Sequence, residues 1–122
     1  MQLLDSRSAA GQAFPDGVLR VEYASSVDGH RDWALLWPRD GSRTWAVVLH
    51  GHGSHGDQLY SRPDIRRAWL DGLRSLGLGI LTPNLRDDSW MGPAAVSDLD
   101  DLLAWLRVER RAERFVFLSG SM

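Results

Sequence analysis

The sequence contains no cysteine and no lysine. The first absence excludes disulfides, thiolate catalysis and cysteine-based zinc sites. The second leaves all fourteen basic residues as arginine. They are scattered and mostly alternate with acids, which reads as codon bias rather than as function. A net charge of −2 gives no electrostatic reason to expect nucleic acid or an anionic membrane as a partner. No apolar run approaches the roughly 20 residues that a membrane span needs. The opening, Met1-Gln2-Leu3-Leu4-Asp5-Ser6-Arg7, lacks a basic segment followed by an apolar one, so no signal peptide is expected. The default expectation is a cytoplasmic, soluble protein.

The composition, 43% hydrophobic and 25% charged over 122 residues, is that of one ordinary globular domain at most. Residues 1–16 are small and polar with a Pro15-Asp16-Gly17 turn signal, and are expected to be a loosely structured lead-in to a single domain over 17–122. Val18 to Ala24 and Trp33 to Trp37 alternate apolar and polar around an Asp28-Gly29 turn, which predicts an antiparallel pair at a sheet edge. Trp45-Ala46-Val47-Val48-Leu49 is a continuous apolar run of the kind found in strands covered on both faces.

A helix opened by Pro63 follows, with Ile65, Trp69, Leu73 and Leu76 as its apolar stripe and Gly77 as its end. Leu78 to Thr82 is a second buried strand, stopped by Pro83. A second helix starts near Pro93, with Val96, Leu99, Leu102, Leu103 and Leu106 on one face and Asp98, Asp100, Asp101 and Arg107 largely outside it. Phe115 to Leu118 is a third buried strand. The order is a hairpin, then strand, helix, strand, helix, strand. Three parallel strands joined by right-handed crossovers are the economical arrangement.

Two motifs could carry chemistry. Ser119-Gly120-Ser121-Met122 directly follows the third strand. A sharp strand-to-helix turn can lift a serine hydroxyl above a sheet, provided that the residues two before and two after it are small. Ser121 meets the first condition through Ser119, whereas Ser119 as nucleophile would place Phe117 at the crowded position. His50-Gly51-His52-Gly53 directly follows the first buried strand. Acyl transfer needs backbone N–H groups aimed at a developing oxyanion, and a glycine-rich loop allows that approach.

Strand, His-Gly-x-Gly loop, two strand-helix units and a small-x-Ser turn in this order resemble an α/β-hydrolase. Asn84-Leu85-Arg86 leading to Ser89-Trp90-Met91-Gly92-Pro93 also resembles the corresponding loop in the prolyl oligopeptidase-like and related esterase branches. The resemblance covers residues 18–122. It departs at Ser119, where Gly is usual, and at Asp87, where that branch often has Gly. The second departure leaves peptidase and esterase activity unseparated.

The resemblance implies an α/β fold: a mostly parallel sheet flanked by helices, with an N-terminal antiparallel hairpin, incomplete after the nucleophile turn. It implies a serine hydrolase acting on a small-molecule ester or peptide-like acyl bond, without cofactor or metal. Ser121 is the nucleophile. The backbone N–H groups of His52 and Met122 are the oxyanion donors, with Gly53 as the alternative to His52. His50 braces the loop. The acid and histidine of the triad are expected beyond Met122, so the chain alone is expected to be inactive.

The same glycine-rich loop supports other readings. His50, His52 and His55 come within one residue of the H-x-H-x-D-H metal signature of metallo-β-lactamase-like hydrolases, with Ser54 in place of Asp, but no later histidine supplies further ligands. Gly51, Gly53 and Gly56 match G-x-G-x-x-G. Pro63, however, is expected to delay the helix, and Thr82-Pro83-Asn84 lacks the acid expected for a ribose. Five of the six tryptophans read as packing residues. Trp90, in a loop at the carboxyl edge of the sheet, is the candidate for substrate contact, and Tyr60 is a further candidate for the mouth of the site. A non-catalytic alternative remains: a fragment or binding module of the same fold, self-associating through an exposed sheet edge.

Overall fold

The computed structural model describes residues 1–50, 55–87 and 92–119. Its strands are β1 (Gln2–Ser8), β2 (Leu19–Ala24), β3 (Arg31–Trp37), β4 (Thr44–Leu49), β5 (Gly79–Pro83) and β6 (Arg114–Ser119). They form one six-stranded sheet in the order β1-β2-β3-β5-β4-β6, mixed rather than mostly parallel as the sequence suggested, because the N-terminal strands add antiparallel pairs up to β5. β1, β2, β3 and β5 pair antiparallel in turn, while β4 runs parallel to both β5 and β6.

The apolar run of β4 alternates between two cores. Trp45 and Val47 face one, packed with Leu99, Leu102 and Leu106 of the long helix α4 (Pro93–Glu109). Ala46 and Val48 face the other, packed with Leu59, Tyr60, Leu70 and Leu73. Those four come from a broken helical segment: α1 (Gln58–Ser61), α2 (Pro63–Ile65), a π-helical turn over Arg66–Leu70, and α3 (Asp71–Ser75). Helices thus cover both faces of the sheet, which is why β4 and β5 contain no polar alternation.

Several expectations need correction. Residues 2–8 are not a loose lead-in but the edge strand β1, so the β2–β3 hairpin lies one strand inside the edge. β1 buries none of its side chains. Backbone pairing holds it, together with ion pairs from Arg7 to Asp5 and Glu22, and neither leaves a hydrophobic signal. The helical stripe also differs: Trp69 is 46% exposed and Leu76 71% exposed, whereas Leu70 is buried. The π turn inserts one residue into the helical repeat and rotates Leu70 inward in place of Trp69.

On α4, Val96 is 43% exposed and Asp98 is buried. β6 forms as expected but is not buried. Among the described residues it pairs on one side only, with β4, and Val116 and Phe117 remain 45% and 51% exposed. No helix among the described residues is long and apolar enough to cross a membrane.

One close contact sets the β4–β5 spacing. Trp45 pairs with Gly79, and a Cβ on Gly79 would stand 2.6 Å from Cδ2 and Cε2 of the buried indole. Gly79→Ala therefore forces Trp45 off its site. We expect a loss of about 1–3 kcal/mol by urea unfolding, and an unchanged midpoint would disprove the contact.

Candidate functional site

Because β4, β5 and β6 are parallel, their carboxyl ends open on one edge of the sheet. Leu49 of β4 pairs with Ser119 of β6, and Val47 pairs with Leu81 of β5. The segments beginning at His50, Asn84 and Gly120 therefore leave neighbouring strand ends, where ligands bind in open α/β sheets. Of the residues expected to act there, Ser121, Met122, His52, Gly53 and Trp90 lie outside the described residues. What the structure places is the scaffold around them.

That scaffold centres on Asn84, only 2% exposed. Its amide nitrogen donates to Asp32 Oδ1 at 2.8 Å and to Asp87 Oδ1 at 2.9 Å. Its Oδ1 accepts from the Gly56 N–H at 3.0 Å, and its carbonyl oxygen accepts from His50 Nε2 at 2.6 Å. Its own N–H donates to the Trp33 carbonyl at 3.0 Å. One buried residue thus bonds to His50 through its backbone carbonyl and to Gly56 through its side chain, on either side of segment 51–54.

Gly56 is required at its position. A Cβ there would lie 2.8 Å from both Cα and N of Asn84. Gly56 had a place in the sequence only as the last glycine of a dinucleotide pattern, and its role is instead a close backbone approach. That pattern's other ground also changes, because helix begins at Gln58, before Pro63. The strand end Thr82-Pro83-Asn84 still carries no acid.

Asp32, 5% exposed, anchors this arrangement from β3. Besides Asn84 it accepts from the backbone N–H of Trp33 at 2.9 Å and of Arg86 at 2.6 Å. Residues Leu85, Arg86 and Asp87 all have positive φ, at 49°, 61° and 57°. Three consecutive left-handed non-glycine residues cost about 1–2 kcal/mol each and must be held in place. Arg86 holds them.

Its Nε donates to Asp98 Oδ2 at 2.8 Å, and its two terminal nitrogens grip both oxygens of Asp28 at 2.8 Å. Asp98, fully buried, also accepts from Ser25 Oγ at 2.5 Å. Its position on the inner face of α4 is thereby explained: it is buried because it is paired. The left-handed φ of Asp87 is one that glycine adopts at least cost. Aspartate is among the residues that tolerate this region best, and its carboxylate also accepts from His55 Nδ1 at 2.9 Å.

Sequence reasoning did not single out Asp32, Asn84, Asp98 or Gly56 for this work. The one available signal was chemical: an acid at a helix position between the buried Ala95 and Leu102 needs a cation opposite it.

The other candidates divide. His50 bonds to the Asn84 carbonyl, and the loop it was expected to brace lies outside the described residues. Tyr60 is not at a mouth. It is 1% exposed, packed against Phe14 and Trp37 with ring centroids 5.5 and 6.3 Å away, and burial raises its pKa above the ordinary phenol value. For the metal reading, His50 turns to Asn84 and His55 to Asp87, while His52 lies outside the described residues. Among the described residues no three histidines or acids converge on a metal position.

The fold is similar to that of a cold-adapted esterase from an Arctic intertidal metagenomic library, solved as a PEG-bound complex. The identity is 19% and the TM-score 0.54, over 89% of this chain and 53% of the esterase. The chain spans about half the length of that esterase, and at this identity the likeness concerns the fold. No family model matches the chain, and no curated protein matches it.

Arg86 lowers the Asp28 carboxyl well below the ordinary carboxylate range, and the Asn84 amide does the same, less strongly, for Asp87. Both groups bind protons less readily folded than unfolded. Their contribution is full above the ordinary value of 3.8 and is lost as pH falls through the lowered values. In urea titrations at pH 7, 5, 4 and 3, Asp28→Asn should lose less stability on acidification than the unmodified chain. Parallel curves would exclude this linkage.

Proposed function

We propose that the chain carries the nucleophile half of a serine hydrolase of the α/β-hydrolase superfamily, acting on a small-molecule ester through an acyl-enzyme. The observation that carries the reading is the shared edge. A glycine-rich segment pinned on both flanks by Asn84 leaves β4 beside the end of β6, which leads into Ser119-Gly120-Ser121. The esterase likeness supports an ester rather than a peptide bond.

In this reading Ser121 Oγ attacks the acyl carbon as its proton passes to a histidine base. Collapse of the tetrahedral species expels the alcohol, which takes that proton, and water then releases the acid. The N–H groups of His52 and Met122 hold the oxyanion, and Trp90 contacts the substrate. Base and acid come from outside these 122 residues.

The 122-residue chain should react with a fluorophosphonate probe no faster than its Ser121→Ala variant, because an unactivated serine is a poor nucleophile. In a reading frame extended through an acid and a histidine, Ser121→Ala should lower p-nitrophenyl acetate hydrolysis on the order of 10⁴-fold or more. Retained turnover in that variant would refute the assignment.

A second reading rests on β6. Its pairing on one side only among the described residues and its exposed Val116 and Phe117 favour self-association of the chain along this edge, with or without catalysis. Sedimentation velocity should show concentration-dependent association that Phe117→Lys weakens. A monomer at about 100 μM, well within the range where exposed edges associate, would count against it.

A further inference from the structure

The opposite edge of the sheet, at the amino ends of β4 and β6, holds a recess of about 330 Å³ between the turn before β4 and the turn after α4. Its lining includes Arg39, Arg43, Arg110 and Arg111, with Asp40 as the single acid and the buried Trp45 as an apolar wall. This is a concentration of positive charge in a chain whose net charge is −2. The two turns are locked together, since the Arg43 carbonyl accepts from the backbone N–H groups of both Glu113 (2.7 Å) and Arg114 (3.1 Å). Arg111 is held at a φ of 56° in that second turn. The recess is therefore set by backbone geometry before any ligand arrives.

A structural role accounts for part of this. The last carbonyls of α4 favour cations nearby, which suits Arg110 and Arg111. That effect does not extend to Arg39 and Arg43, which reach the recess from the other turn and have partners of their own. Arg43 pairs with Glu113 at 2.8 Å, both groups being well exposed, and Arg39 donates to the Arg74 carbonyl at 2.8 Å. The guanidinium groups of Arg110 and Arg111 have no hydrogen bond or ion pair among the described residues.

We propose that this recess is a binding site for a soluble, phosphate-bearing small molecule, separate from the carboxyl edge where Ser121 is assigned. Planar guanidinium groups recognise phosphate oxygens in pairs. The volume is at the small end of ligand pockets, about 300–1,000 Å³. It suits a compact polyvalent anion, and the polar lining disfavours an apolar one.

Pyrophosphate is the probe. Titrated calorimetrically into the 122-residue chain at low salt, it should bind saturably, and added sodium chloride should weaken it. Arg110→Gln/Arg111→Gln should weaken binding roughly tenfold or more. Arg62→Gln/Arg67→Gln, which removes the same charge outside the recess, should leave it intact. These side chains are exposed, so both variants should keep the unmodified melting transition, which is checked by circular dichroism. Absence of saturable binding, or equal weakening in the two double variants, would overturn the proposal.

Discussion

Asn84 is the constraint on which the carboxyl edge depends. Its side-chain nitrogen, side-chain oxygen, backbone N–H and carbonyl are all engaged, and they reach β3, the end of β4, the approach to α1 and its own loop. A buried amide left half-satisfied costs on the order of 1–3 kcal/mol. These elements are therefore free to move only together. The arrangement ties the positions of His50 and Gly56 to the end of the strand that precedes the turn at Leu85–Asp87.

The strained turn from Leu85 to Asp87 belongs to the same constraint. Its left-handed residues are disfavoured singly and more so in sequence. Charge-assisted bonds from Arg86 to Asp28 and Asp98 oppose that cost, and each is about twice as strong as a neutral hydrogen bond. Asp98 in turn fixes α4 against the β2–β3 turn through Ser25. The loop is thus clamped from the sheet, from a hairpin and from a helix, and strain of this kind collects at functional edges.

The strands β2 to β5 were legible because their hydrophobic pattern follows directly from which faces are covered. β1 was not, because an edge strand without buried side chains has no such pattern. Trp69 and Leu70 exchanged places because a π turn changes the helical repeat, and nothing in Arg66-Arg67-Ala68 announces it. Asp98 read as a surface acid because its partner, Arg86, is twelve residues away and meets it only through the folded loop. Asn84 and Asp32 were illegible for the same reason, since polar residues declare their role by their partners. The nucleophile and oxyanion donors proposed above rest on motifs, and the order of strands gives the segments that carry them neighbouring strand ends.

Charge placement bears on the kind of acyl compound the proposed chemistry suits. Asp28, Asp32, Asp87 and Asp98 surround the loop bases at the carboxyl edge, opposed by Arg86. A field of this sign disfavours an anionic substrate and would oppose an oxyanion as well, if the carboxylates were unscreened. Each is instead committed to donors: two to Arg86, one to Asn84 with two backbone N–H groups, and one to Asn84 with His55. Arg86 offsets one unit of this charge, and the neutral donors stabilise the remaining carboxylates without cancelling it. In the proposed chemistry, backbone N–H donors in contact with the reacting oxygen would outweigh this field, whereas a carboxylate elsewhere on the substrate would meet it unopposed. Under the proposed function, this charge placement favours neutral esters over acidic ones. The phosphate-bearing ligand proposed for the amino edge meets the opposite sign of charge at the other end of the same strands.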